Sequence, residues 1–147
     1  MANLDSELGR AAALTFECLS FMLPTEDAAS NSLAPPAARA GVRFDGPFAG
    51  ELIVLASEDL LPALAANMLG SDGPPPSAQQ LDALGEVANV VCGNLLPAIG
   101  GRQQVFRIEP PRVLAGPAST PPSQGVAATA RLVLDEGWAD LWLLLDS

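Results

Sequence analysis

Three side chains at helical spacing carry the chemistry this sequence offers: Asp82, Glu86 and Asn89. Turned at about 100° per residue, they fall with Gly93 within roughly 60° of one another. Leu81, Leu84, Val87, Ala88, Val91 and Leu95 fill an opposed arc of roughly 140°. One face reads as a core stripe; the other bears two acids, an amide and a bare stretch of backbone. A carboxylate accepts from a cation or a proton donor. A carboxamide both donates and accepts, so it can fix the orientation of a water without depending on pH. Solvated helix faces favour Lys, Glu, Gln and Ala, and a glycine inside a helix costs about 1 kcal/mol relative to Ala. Gly85 and Gly93 therefore imply a smooth surface around Glu86 and Asn89, onto which another macromolecule can be laid. Taken alone, the pattern also fits a plain solvated helix face, and Gly93 fits helix packing as well as close approach.

Composition narrows what such a face can do. The chain has 147 residues, about half of them apolar, which suits one folded domain spanning 1–147. It has no histidine, which removes imidazole metal sites and the Ser-His-Asp and Cys-His nucleophile systems. It has no lysine either, which removes Schiff-base chemistry and a phosphate-binding P-loop. No metal site is expected. All seven basic residues are arginine, against seventeen acids and a net charge of −10, so a nucleic-acid backbone would be repelled. No apolar run approaches the roughly 18 residues that span a bilayer, and the first residues are acidic where a secretory signal is basic. A cytosolic protein with no membrane partner is expected. Cys18 and Cys92 sit among helix-like apolar residues and read as buried free thiols.

The elements that must position the polar face follow from periodicity. Residues 4–22 read as a helix ended by Pro24, followed by a Pro/Ser-rich connection from Thr25 to Pro36. Ala40 to Ala56 reads as a hairpin around Asp45-Gly46-Pro47, whose continuously apolar Leu52 to Leu55 implies cover on both faces or a place at an interface. Ser57 caps a helix that Gly70 terminates. After a proline-stiffened loop, Ser77 and Gln80 form a capping box for the helix that carries Glu86 and Asn89, which runs to about Ile99. Strands are expected at 104–108 and 112–115, then a closing hairpin of 126–134 and 138–145 after a loop from Gly116 to Gln124. Trp138 and Trp142 read as strand core or interface. The order gives an α+β fold with long helices packed on a mostly antiparallel β-sheet. Glu17 and Ser20 repeat the spacing of Glu86 and Asn89 within the first helix, a faint echo of an internal duplication.

Asp82-x3-Glu86-x2-Asn89, followed by Pro110-Pro111, resembles the signature of the CheC/CheX/FliY chemotaxis phosphatases. The flanking Leu84 to Asn94 and Pro110 to Gly116 segments, and Phe48 to Leu55 followed by a helix ending Met68-Leu69-Gly70, are similar to CheX-like members. The resemblance implies a homodimer that removes the phosphoryl group from the aspartyl phosphate of a phosphorylated CheY-like receiver domain. It implies that Asn89 enters the receiver's site and holds the attacking water, while Glu86 contacts the receiver's lysine. Asp82 and Gly93 then belong to the partner-binding face, although Asp82 equally suits the positive end of the helix dipole. The Mg²⁺ belongs to the receiver, and no cofactor is implied for this chain. Ser20 stands where a second asparagine would be needed, so one site is expected rather than two. Two other functions fit the same residues: a module that binds a receiver without hydrolysing it, and a carboxylate hydrolase using Asp82 and Glu86 as an acid pair.

Overall fold

The computed structural model describes residues 3–25, 34–116 and 124–146. Its elements are α1 (Leu4–Ser20), β1 (Pro36–Asp45), β2 (Gly50–Ser57), α2 (Leu60–Leu69), α3 (Ser77–Gly100), β3 (Arg107–Ile108), β4 (Arg112–Ala115), β5 (Val126–Leu134) and β6 (Gly137–Leu145). The strands of the sheet pair antiparallel throughout, in the order β3-β1-β2-β6-β5, with β4 also on β1. The expected α+β fold is thus the observed one. Much of the connections expected at 25–36 and 116–124 lies outside the described residues.

The alternating burial of β1 shows how the layers form. Ala38, Ala40, Val42 and Phe44 point into the core, where they meet Leu52, Val54, Leu141 and Leu143 from the adjoining strands. Leu8, Ala12 and Phe16 of α1 and Leu84, Val87, Ala88, Val91 and Leu95 of α3 close over them. The opposite side of the sheet carries no described helix, yet Ile53 and Leu55 are only 2 and 3 % exposed. Their cross-strand neighbours, Trp142 and Asp140, help to cover them. Burial pushes the Asp140 carboxyl above its usual range, and Arg131, 3.4 Å away, partly offsets this.

The hairpins β1–β2 and β5–β6 meet at β2 and β6, and α1 packs on β5 while α3 packs on β1. Each long helix therefore lies over the hairpin that follows the other. The Asp5 carboxylate ties α1 to β5 by accepting from the Thr129 backbone N–H at 2.9 Å. Asn94 ties α3 to α1 by donating to Thr15 Oγ1 at 3.1 Å.

Several boundaries differ from the sequence reading. Helix α1 stops at Ser20 because Phe21 turns left-handed (φ 60°) and its N–H bonds Glu17 O, a closure made before Pro24 is reached. The capping box at Ser77 and Gln80 does not form: α3 begins with Pro76 at the N-cap, and Gln80 Nε2 donates instead to Pro75 O at 2.8 Å. Cys18 is exposed, one turn from the half-exposed Leu14 on the outward side of α1; only Cys92 is the buried thiol expected. Helix α3 is long and apolar enough to cross a membrane by length and composition alone. Its apolar stripe, however, is committed to the sheet and to α1.

Candidate functional site

Helix α3 places the polar face, and two glycines set how closely α3 lies on the sheet. A Cβ on Gly85 would stand 3.1 Å from Val113 Cγ2 and 3.3 Å from Pro111 Cγ. A Cβ on Gly100 would meet the Phe106 ring at 2.8 Å. Phe106 belongs to an edge-on aromatic trio with Phe44 and Phe48. The helix is therefore seated against β4 at Gly85, in its third turn, and against the aromatic trio at its C-terminal end. Glu86 and Asn89 lie between these two seats. This corrects the reading of Gly85 as part of a smooth recognition surface: Gly85 is buried and faces inward, under Pro111.

Pro110-Pro111 owes its place to a local irregularity. Opposite β1, Ile108 pairs with Phe44 and Arg112 with Gly41, so three residues of one strand face two of the other. That is a bulge, and a bulge is where a sheet tolerates residues without N–H groups. The Glu109 N–H still bonds Arg43 O at 2.9 Å, and the ladder resumes at Arg112. The bulge puts Pro111 beneath α3, one residue away from Glu86 along the helix.

The other expected site residues are on the solvent side. Asp82 and Glu86 are exposed, Asn89 is half-buried, and Gly93 is exposed, where an added Cβ would meet nothing within 4 Å. Among the described residues, neither the Glu86 nor the Asn89 side chain has a hydrogen-bond or ion-pair partner. The Asn89 carboxamide thus stands at the surface with its donors and acceptor uncommitted, one helical turn from the Glu86 carboxylate. Gly93 adds open space on the next turn.

Residues outside the expected site adjoin this face. Met68 and Leu69, at the end of α2, form a groove of about 330 Å³ with Gln79, Asp82, Ala83 and Glu86 of α3. The groove is open, so Asp82 and Glu86 are not enclosed as an acid pair of a self-contained hydrolase would be. The echo in α1 gives no second site. Ser20 is buried and its hydroxyl donates to Phe16 O at 2.7 Å, within its own helix. Among the described residues no group of three or more His, Cys, Asp or Glu is arranged to hold a metal ion.

Comparison with known proteins adds a family and a fold. The profile of the family described as "Chemotaxis phosphatase CheX" matches residues 39–128, more than half of the chain. Among curated proteins, none matches significantly. The fold is similar to that of a chemotaxis protein CheX from Desulfovibrio desulfuricans, with a TM-score of 0.77 at 19 % identity over 97 % of this chain and 99 % of that one. A CheX from Vibrio vulnificus gives 0.79 at 16 % identity, over 99 and 97 % of the two chains. A chain of the CheX-CheY-BeF3-Mg²⁺ complex from Borrelia burgdorferi gives 0.70 at 15 % identity over 100 % of both.

Proposed function

Since the chain belongs to the CheX family of chemotaxis phosphatases, we propose that it dephosphorylates a CheY-like receiver domain, with Asn89 and Glu86 as the residues that enter the receiver's site. The observation that carries this reading is the uncommitted Asn89 carboxamide beside Glu86, on the solvent side of a helix seated at Gly85 and Gly100 on either side of them.

The chemistry asks little else of this chain. Water attacks phosphorus, the bond from phosphorus to the aspartyl oxygen breaks, and inorganic phosphate leaves a free carboxylate. Phosphoryl transfer of this kind is governed by positioning and charge stabilisation more than by covalent help. The Mg²⁺ and the lysine are the receiver's, which accommodates a catalyst with neither histidine nor lysine. Asn89 accepts a hydrogen bond from the attacking water through its carbonyl oxygen, or donates to it through its amide, and so holds it in line. Glu86 meets the receiver's lysine. An exposed ion pair contributes only about 0–1 kcal/mol, so Glu86 sets register more than affinity. Asp82 and Gly93 widen the docking face, the first by charge and the second by leaving room.

That a complex of CheX with CheY, beryllofluoride and Mg²⁺ exists for the Borrelia relative supports a receiver as partner. A cytosolic homodimer completes the reading, and sedimentation velocity tests the dimer. The function itself is tested by mixing the protein with phosphorylated receivers from its source genome and following phosphate release. Faster release from one of them is expected. Binding without faster release would make the protein a receiver-docking module and remove the catalytic role of Asn89.

A further inference from the structure

Resting on that reading, we propose that the groove between α2 and α3 selects the receiver by taking a bulky apolar side chain that the receiver carries next to a basic residue. At about 330 Å³ the groove lies at the low end of the roughly 300–1,000 Å³ typical of ligand sites. It is a cleft for one or two side chains rather than an enclosure for a metabolite.

Its lining is divided. Met68, Leu69 and Ala83 are apolar, whereas Asp82 and Glu86 put two carboxylates on the α3 side, with no cation among the lining residues. Leu69 is 57 % exposed in the last turn of α2, followed by Gly70 in the left-handed conformation. A large apolar side chain left in water at a helix end contributes little to the fold, and it is well placed to anchor a partner. The groove is also continuous with the docking face, because Glu86 lines it and is the residue that meets the receiver's lysine. A partner bringing a cation to Glu86 brings its neighbouring side chain to Leu69. A second copy of this chain fits poorly: with a net charge of −10 and no lysine, it would bring more like charge to the acidic wall.

Two variants test the proposal: Leu69→Ser, which removes the apolar anchor at an exposed position, and Gln79→Trp, which fills the groove from the exposed first turn of α3. Steady-state phosphate release is measured against the concentration of the phosphorylated receiver that the native protein accepts. Both variants are expected to raise KM about tenfold while kcat stays within about twofold, the size of loss an interface anchor gives. An unchanged KM in both variants would overturn the groove's role and leave the phosphatase reading intact. Where the native protein binds a receiver without speeding its decay, that reading fails. The groove is then judged by the Kd for the beryllofluoride-loaded receiver, with a tenfold weakening supporting it and an unchanged value overturning it. No binding to any receiver would overturn both.

Discussion

The two long helices hold corresponding places over the sheet and carry an acid followed three residues later by a small polar residue, yet only one presents a usable face. On α3, Glu86 is exposed and Asn89 half-exposed, and the helix continues to Gly100 with both seats in place. On α1, Glu17 is exposed, but Ser20 is the last helical residue and turns its hydroxyl back to Phe16 O. Spacing is therefore insufficient. A positioning amide needs a side chain long enough to clear its own backbone, and a helix that continues past it to keep it from fraying. Serine at a helix end meets neither condition, and its hydroxyl finds the nearest carbonyl instead.

The largest expected contrast lies between those two residues. Asn89→Ala should lower phosphate release at saturating receiver by about 100-fold, the scale of penalty for misplacing a reacting group. Ser20→Ala should leave it within about twofold, since among the described residues the hydroxyl bonds only within its own helix. Equal losses in the two variants would break the comparison.

The glycines of α3 sharpen it further, through stability. Gly85→Leu must displace Pro111 and Val113, and overpacking of this kind costs about 1–3 kcal/mol in urea unfolding. Gly93→Ala meets nothing within 4 Å and should stabilise by up to about 1 kcal/mol through helix propensity, while weakening receiver binding. A smaller effect separates the thiols. Burial pushes the Cys92 thiol up to about 12, whereas Cys18 is exposed, so a maleimide near neutral pH should label one cysteine in the native protein and two after unfolding. The raised value has a stability consequence as well. Between about 9 and 12 the unfolded chain's Cys92 loses its proton while the folded chain's does not, so stability should decline as pH rises through that window.

How much of this was legible in the sequence depends on the range of the forces involved. The two faces of α3 follow from periodicity, and Leu84, Val87, Ala88, Val91 and Leu95 are buried as that periodicity requires. The role of Gly85 was hidden because its neighbour, Pro111, arrives from a bulge on another strand, and no local pattern announces that contact. The cap at Ser77 failed because the N-cap falls one residue earlier, on a proline with neither side-chain acceptor nor N–H. Strand β1 reaches back to Pro36, through alanines with little β-propensity, because Ser57 and Ala56 pair with it on one side and Ala115 on the other. The groove beside Glu86 joins two helices separated by a proline loop, and only tertiary packing makes it visible.

The most direct test asks whether Asn89 acts on the reaction or on docking. Titrating a beryllofluoride-loaded receiver with the native protein and with Asn89→Ala gives the two Kd values, to be set beside turnover at saturating phosphorylated receiver. A Kd unchanged within about threefold, together with a turnover lower by about 100-fold, is the expected result. Turnover that recovers fully once the receiver saturates the variant would contradict it, because the carboxamide would then serve adhesion alone.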